Sequence, residues 1–206
     1  IAPLSLNNYL GNTQNVHPKV LYISNGFGGH KYWMAYTPYP FSHDDYENPC
    51  IAYSDDGFSW TNIDSNPIDD PQGDGYNSDT HLVYIESTNT MECWYRYVGD
   101  ESLSTREETI YKCSSTDGLT WSNKTLIYSN TSGNYSKVLS PAVIWDGSKY
   151  RVWVVTNPRN VAYYEYTPGA SFTYIRDYEM SITDDGISVN PWHLDVIYEN
   201  GTLAWF

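Results

Sequence analysis

The chain is poor in positive charge. Its 206 residues contain 11 Lys and Arg against 25 Asp and Glu, which gives a formal net charge of −14 at pH 7. Such an acidic surface repels the phosphate backbone of nucleic acids and the headgroups of anionic membranes. We therefore expect no nucleic-acid partner, whereas neutral glycans, cationic partners and Ca²⁺ are compatible with this charge.

Cysteine and long apolar segments are also scarce. Cys50, Cys93 and Cys113 are too few and too scattered for a disulfide framework or a zinc site, and we expect free buried thiols, with one disulfide as the alternative. No apolar run approaches the length of a membrane-spanning helix, and the N-terminus lacks a signal peptide, so no membrane insertion is expected. The start at Ile1 and the strand-like end at 202–206 predict a piece of a longer protein.

Aromatic residues, in contrast, are abundant, with 21 Tyr and 8 Trp. These residue types favour β-strands, and their rings also offer stacking faces for sugars. No stretch shows helical periodicity, while short alternating segments recur between Gly, Asn and Asp turns. The sequence therefore predicts an all-β chain.

An internal repeat organises these strands. Four similar segments each begin with one polar residue, which we call the head: His17, Asp79, Ser140 and His193, spaced 62, 61 and 53 residues apart. A second motif, Ser-x-Asp-Gly-x-x-Trp, occurs at 54–60 and again 61 residues later at 115–121. A shared period of this length, with four antiparallel strands in each unit, predicts the blades of a β-propeller. Because the first strand of each blade is the innermost, the heads are expected to converge on the central axis.

The repeat divides the chain into segments. We predict a lead-in segment at 1–16, followed by about three and a half blades at 17–75, 76–135, 136–189 and 190–206. Asp56 and Asp117, in the second motif, are predicted to stabilise turns and to have no catalytic role.

Several segments together resemble a known family. They are HPKV (17–20), YWMAYTPYP (32–40), ENPCIAYSDDGFSW (47–60), SDTHLVY (78–84) and SPAVIWDGSKYRVW (140–153). The pattern resembles the five-bladed propellers of family 43 glycoside hydrolases and, more closely, the propeller modules of tail receptor-binding proteins of phages. The two turn motifs are similar to the Asp-boxes of sialidases, which are structural.

The family 43 resemblance implies three catalytic carboxylates at the first three heads, as general base, pKa-tuning Asp and general acid. Here these positions hold His17, Asp79 and Ser140, so only the second carboxylate is retained. Glu47 begins the segment before the third strand, at the same level as the heads, and is the substitute acid. The candidate catalytic residues are therefore Asp79, Glu47 and His17.

A sugar subsite requires stacked aromatic rings and a few charged hydrogen-bonding groups. The predicted ligand-binding residues are His17, Trp33, Tyr39, Asp79, His81, Arg96, Ser140, Trp192 and His193, and Arg159 is expected at the same level. The alternatives are that the aromatic residues pack between blades and that the heads form a hydrogen-bonded network filling the axis. A His–Asp–His metal site is a further alternative. We assign no metal ligand and expect no cofactor, although Ca²⁺ is compatible.

These observations favour a carbohydrate-recognising propeller that binds a cell-surface glycan or cell-wall polysaccharide. We expect it in a phage tail or surface receptor-binding protein, extracellular or on the virion, and compatible with a homo-oligomeric tail assembly. The alternatives are a glycoside hydrolase of the five-bladed type and a structural platform that binds nothing.

Overall fold

The computed structural model describes residues 4–70, 75–99, 107–130, 138–156, 160–178, 182–184, 187–189, 191–199 and 202–205. This part of the chain contains sixteen strands and three short 3₁₀ turns, at Pro40–Ser42, Asp44–Tyr46 and Glu86–Thr88. Within the same ranges, no helix has the length and apolarity needed to cross a bilayer.

Three four-stranded antiparallel sheets follow one another along the chain, each with its strands in sequence order. The first consists of β1 (Asn15–Phe27), β2 (His30–Pro38), β3 (Cys50–Ser54) and β4 (Thr61–Asn62). The second consists of β5 (Tyr76–Ile85), β6 (Thr90–Val98), β7 (Glu108–Ser115) and β8 (Thr125–Asn130). The third consists of β9 (Leu139–Trp145), β10 (Tyr150–Val155), β11 (Val161–Tyr166) and β12 (Phe172–Tyr178).

Two hairpins follow these sheets: β13 (Ile182–Asp184) with β14 (Ile187–Val189), and β15 (Val196–Glu199) with β16 (Thr202–Trp205). The repeat did not predict the first hairpin. The four-stranded meanders confirm the all-β prediction, and we call the three sheets blades 1, 2 and 3.

The blades pack face to face, so that both faces of a strand can be enclosed. Leu82 of β5 contacts the core shared with blade 1, and the next residue, Val83, contacts the core shared with blade 3. The largest buried side chains are Trp33, Trp94 and Trp153, one on the second strand of each blade. Burial of large aromatic rings such as these stabilises the packing of the blades.

Trp33 is therefore not a ligand-binding residue, and that prediction was wrong. Its side chain is fully buried, and its indole N–H donates to the carbonyl oxygen of Phe27 at 3.1 Å. The reason is that the neighbouring blade covers the face of β2 from which Trp33 projects. The prediction of free thiols is confirmed, since Cys50, Cys93 and Cys113 are all buried and unpaired with one another.

The two Asp-box turns have matching hydrogen bonds. Asp56 Oδ1 accepts the amides of Phe58 and Ser59, both at 2.7 Å. Asp117 Oδ1 accepts the corresponding amides of the next blade at 2.8 and 2.7 Å. Both carboxylates serve the turn, which confirms the structural role predicted for them.

The heads of the first three blades share an uncommon backbone conformation. His17, Asp79 and Ser140 have φ angles of 54°, 56° and 46°, in the left-handed region that few residues other than glycine adopt. The strand pairing shifts in register at or beside each head, which is the signature of a β-bulge. Bulges re-aim a side chain at a chosen point of a strand, and here they occur at equivalent points of three blades.

Candidate functional site

Two clefts meet at the heads. His17, Asp79 and His193 line both clefts, and we call these three residues the central cluster. The outer cleft, of about 300 Å³, is also lined by Tyr39, Asp44, Glu47, Arg96 and Trp192. The axial cleft, of about 440 Å³, is also lined by Pro18, Lys19, Thr80, His81, Pro141, Leu194 and Asp195. The central cluster is thus the boundary between two cavities of different composition.

The central cluster brings two imidazoles against one carboxylate. Nε2 of His17 lies 3.1 Å from Nε2 of His193, and the ring centroids are 4.3 Å apart. Oδ1 of Asp79 lies 3.5 Å from Nε2 of His17 and 3.6 Å from Nδ1 of His193. Two facing ring nitrogens attract one another only when a proton or a cation lies between them. The sequence prediction that these heads meet at Asp79 agrees with this geometry.

Each member of the cluster also has a partner outside the cluster. Nδ1 of His17 lies 3.2 Å from Oε2 of Glu47, and Oγ of Ser140 contacts Nδ1 of His193. Oδ2 of Asp79 accepts the backbone amide of Ser140 at 3.0 Å. Partners of this kind fix the orientation of the imidazoles, so that Nε2 of each ring faces Nε2 of the other.

Glu47 is itself firmly anchored. Its Oε2 atom accepts hydrogen bonds from the hydroxyls of Ser78, at 2.6 Å, and Thr37, at 3.1 Å. The side chain is nearly buried. Because β3 runs parallel to β1, the chain before β3 reaches the level of His17, as the sequence predicted.

Arg96 supplies the buried positive charge of the site. Its Nε atom lies 2.9 Å from Oδ2 of Asp79, and its Nη1 atom lies 3.2 Å from Oε1 of Glu108. All three side chains are buried. Arg96 is therefore an ion-pair partner of Asp79 rather than an exposed ligand-binding group, although it lines the outer cleft.

The charges in the cluster shift its pKa values in different directions. Burial would raise the pKa of Asp79, but the charges of Arg96 and the two histidines lower it to about 2. For His17, burial opposes protonation, yet the hydrogen bond to Glu47 and the nearby carboxylates raise its pKa. Burial lowers the pKa of His193 to about 4. Asp79 is thus held as an anion across the physiological pH range.

The outer cleft has aromatic walls. Trp192 is 50% exposed and directly precedes His193, and Ser140 Oγ donates to its carbonyl oxygen at 3.2 Å. Tyr39 is partly exposed and lines the same cleft. An exposed indole and a phenol beside carboxylates form a surface suited to a sugar ring.

His81 lies on the axial side. Its Nε2–H donates to the carbonyl oxygen of Val143 at 3.1 Å, and burial lowers its pKa to about 3. Nearby, Lys19 Nζ pairs with Asp195 Oδ2 at 2.5 Å. His81 thus lines the axial cleft, and its ligand-binding role stays a prediction.

The structure places all the predicted site residues at the two clefts except Trp33, and Arg159 lies outside the described residues. Sequence reasoning missed Thr37, Ser78, Glu108, Lys19 and Asp195. The positions of Ser78 beside a head, and of Lys19 and Asp195 two residues after heads, were the available signals.

The central cluster fits a divalent metal ion. One ligand atom from each of its three residues lies within 4.8 Å of the others. Two imidazoles with one carboxylate suit zinc and related transition metals better than calcium, which prefers oxygen ligands. Three protein ligands are also the usual number in catalytic metal sites, where one position stays open for water or substrate.

Comparisons with known proteins show which chains this one is similar to. No protein-family model matches the chain. The chain is 25% identical, over 231 residues, to an A type blood N-acetyl-alpha-D-galactosamine deacetylase from Flavonifractor plautii, covering 90% of this chain and 29% of the relative.

Solved structures show the same architecture. A crystal structure of an N-acetylgalactosamine deacetylase from F. plautii, in complex with blood group B trisaccharide, has a TM-score of 0.76 at 21% identity; the match covers 92% of this chain and 60% of that one. A GH32 beta-fructofuranosidase from Bombyx mori has a TM-score of 0.57 at 12% identity, covering 84% and 39% of the two chains. A GH62 alpha-L-arabinofuranosidase from Coprinopsis cinerea also has a TM-score of 0.57 at 12% identity, covering 89% and 56%.

The chain thus spans less than a third of its curated relative and three fifths of the solved deacetylase chain. At these identities the structural matches establish the fold and not the reaction. The chain has the all-β propeller fold that these enzymes share.

Proposed function

We propose that this chain carries the core of a metal-dependent hydrolase that removes N-acyl groups from aminosugars in glycans. The observation that carries the proposal is the central cluster, in which the ring nitrogens of His17 and His193 face one another beside the Asp79 carboxylate. The deacetylase relatives from F. plautii act on an N-acetylated sugar, which supports the same class of substrate.

Each residue around the central cluster has a separate role in the proposed hydrolysis. When bound at the cluster, a divalent ion supplies Lewis-acid polarisation of a carbonyl oxygen and activation of water. Asp79 contributes an anion that Arg96 keeps ionised, and Glu47 holds the proton of His17 on Nδ1 so that Nε2 remains a ligand. In the hydrolysis, the amide C–N bond breaks, a C–O bond forms with water, and a water proton passes to the departing amine.

The outer cleft is the place for the sugar. Trp192 and Tyr39 offer stacking surface, and the Asp44 carboxylate can accept hydrogen bonds from sugar hydroxyls. A sugar stacked there would present its N-acyl group to the central cluster, because the cluster forms part of the lining of the same cleft.

Cleavage of a glycosidic bond is less well supported. Glycosidases require a carboxylic acid that donates a proton to the leaving group. Asp79 has a pKa of about 2 and is ionised, and the Glu47 carboxylate accepts hydrogen bonds from two hydroxyls. Asp79 therefore does not supply this proton, and Oε2 of Glu47 is already engaged as an acceptor.

A second candidate is glycan recognition without turnover, in a surface or phage tail receptor-binding protein exposed outside the cell or on a virion. The exposed face of Trp192 at the outer cleft favours it, since a stacking platform alone is enough for binding.

The experiment measures acetate released from oligosaccharides that contain N-acetylgalactosamine, using the full-length protein. We expect release that EDTA abolishes and Zn²⁺ or Mn²⁺ restores. His193→Ala should remove the activity, whereas His30→Ala, a histidine stacked on Tyr53 away from the clefts, should retain it. Glu47→Gln should weaken metal binding about 10- to 100-fold in calorimetry.

Two other results of this experiment would distinguish the two candidate functions or refute both. Oligosaccharide binding that is insensitive to EDTA, without acetate release, would favour the second candidate. Absence of both binding and release would refute both.

A further inference from the structure

We infer that the axial cleft is an acyl-binding subsite, and that the enzyme accepts N-acyl groups larger than acetyl. The inference rests on the proposed function. Its basis is the position of the cleft: His17, Asp79 and His193 line both cavities, so an amide held at these residues adjoins both of them. The sugar and the acyl group of one substrate can then lie in different clefts.

The lining of the two clefts indicates which cleft would bind the sugar and which would bind the acyl group. The outer cleft has the aromatic residues Tyr39 and Trp192 and the carboxylate of Asp44, a combination suited to a sugar. The axial cleft presents the aliphatic side chains of Pro18, Pro141 and Leu194 immediately after three of the heads. His17, Ser140 and His193 thus each have an apolar neighbour in the axial cleft, where an acyl chain would lie, whereas Asp79 is followed by the polar Thr80.

The charged groups of the axial cleft are engaged with one another. Lys19 Nζ lies 2.5 Å from Oδ2 of Asp195, and Oδ1 of Asp195 accepts the backbone amide of Val196 at 2.8 Å. His81 donates Nε2–H to the carbonyl oxygen of Val143. These contacts offset the charges locally, so the cleft does not require a charged ligand.

The volume of the axial cleft is larger than an acetyl group requires. A methyl group occupies roughly the space of one water molecule, about 30 Å³ in the liquid, whereas the cleft measures about 440 Å³. An acetyl group would leave most of this volume to water. A longer acyl chain would replace that water and bury its methylenes against the prolines and Leu194.

The test is a chain-length series on the full-length, metal-loaded protein. Galactosamine glycosides with N-acetyl, N-propionyl, N-butyryl and N-hexanoyl groups are compared by the amine that each releases. Each buried methylene contributes about 0.8 kcal/mol, so kcat/KM should rise about fourfold for each added methylene, up to the length that fills the cleft.

A variant with a larger side chain in the axial cleft tests whether the chain-length preference arises there. Leu194→Trp should remove the advantage of the hexanoyl over the acetyl substrate, because the indole would occupy the axial cleft. Leu119→Trp, the same change at an exposed leucine of the blade 2 turn, is the matched control and should retain the advantage. The series on the unaltered protein stands by itself if Leu194→Trp does not fold.

The outcomes separate this inference from the proposed function. Acetyl hydrolysis with kcat/KM falling as the chain lengthens would overturn the acyl subsite and leave the deacetylase proposal in place. A hexanoyl advantage that persists in folded Leu194→Trp would also overturn it. Failure to hydrolyse any of the amides would overturn both.

Discussion

The contact between blades 1 and 2 can be tested by a glycine-to-alanine substitution, which adds one methyl group. Gly118, in the Asp-box turn of blade 2, has a φ of +79°, and a Cβ placed there would lie 2.1 Å from the buried ring of Trp33. Gly57, at the equivalent point of blade 1, has a φ of +76°, but its Cβ would lie at an ordinary 3.4 Å from Tyr32. The two glycines therefore differ in their neighbour and not in their backbone.

The expected magnitudes follow from this comparison. An L-residue in the left-handed region costs roughly 1–2 kcal/mol, and we expect a free-energy loss of this size for Gly57→Ala. Gly118→Ala should lose the same amount and roughly 1–3 kcal/mol more, because the fully buried indole cannot move aside without disturbing the core between the blades.

Urea unfolding followed by tryptophan fluorescence measures both variants. The midpoint should fall further for Gly118→Ala than for Gly57→Ala, with unchanged m-values. Equal shifts in the two variants would refute the packing of Trp33 against the turn of blade 2, and with it the relative placement of the blades that brings His17 to Asp79.

Two further predictions concern the turn and the thiols. The amides of Ser59 and Phe58 lower the pKa of Asp56 to about 2, so its contribution to stability is present above the unfolded pKa near 4 and is lost as the pH falls towards 2. Asp56→Asn should therefore flatten the dependence of the unfolding free energy on pH between about 4 and 2, and identical slopes in the two proteins would contradict the turn assignment. Burial raises the pKa of Cys93 far above its ordinary value, so the thiols should react with a disulfide reagent only after denaturation. Stoichiometric labelling of the folded protein within minutes would show that the core of blade 2 is open.

Much of the architecture could be predicted from the sequence. The spacing of the heads and of the two Asp-box motifs indicated blades, and the blade order indicated that His17, Asp79 and His193 would meet. The position of Glu47 at the level of His17 also followed from strand direction alone. These predictions depend only on periodicity and on the alternation of antiparallel strands.

Other features depend on packing that one sequence does not reveal. In a sheet covered on both faces, alternation no longer separates buried from exposed positions, and Trp33 was misassigned for that reason. The pairing of Arg96 with Asp79 depends on the bulge in β5, which places Ser78 opposite Arg96 and turns the next residue towards the axis. A bulge at a residue other than glycine leaves no clear mark in the sequence.

The shared backbone conformation of the three heads has a consequence for how such a site can change. The bulge fixes where the side chain of His17, Asp79 or Ser140 begins, whatever that side chain is. The side chain at a head and the framework are therefore separable: replacing one head by a carboxylate or an imidazole changes the group that faces the clefts without altering a loop. The left-handed backbone admits Asn, Asp and His readily and disfavours β-branched side chains, so the residues that fit at each head are few and mostly polar. A propeller built in this way can change the chemistry of its clefts through one substitution in each blade.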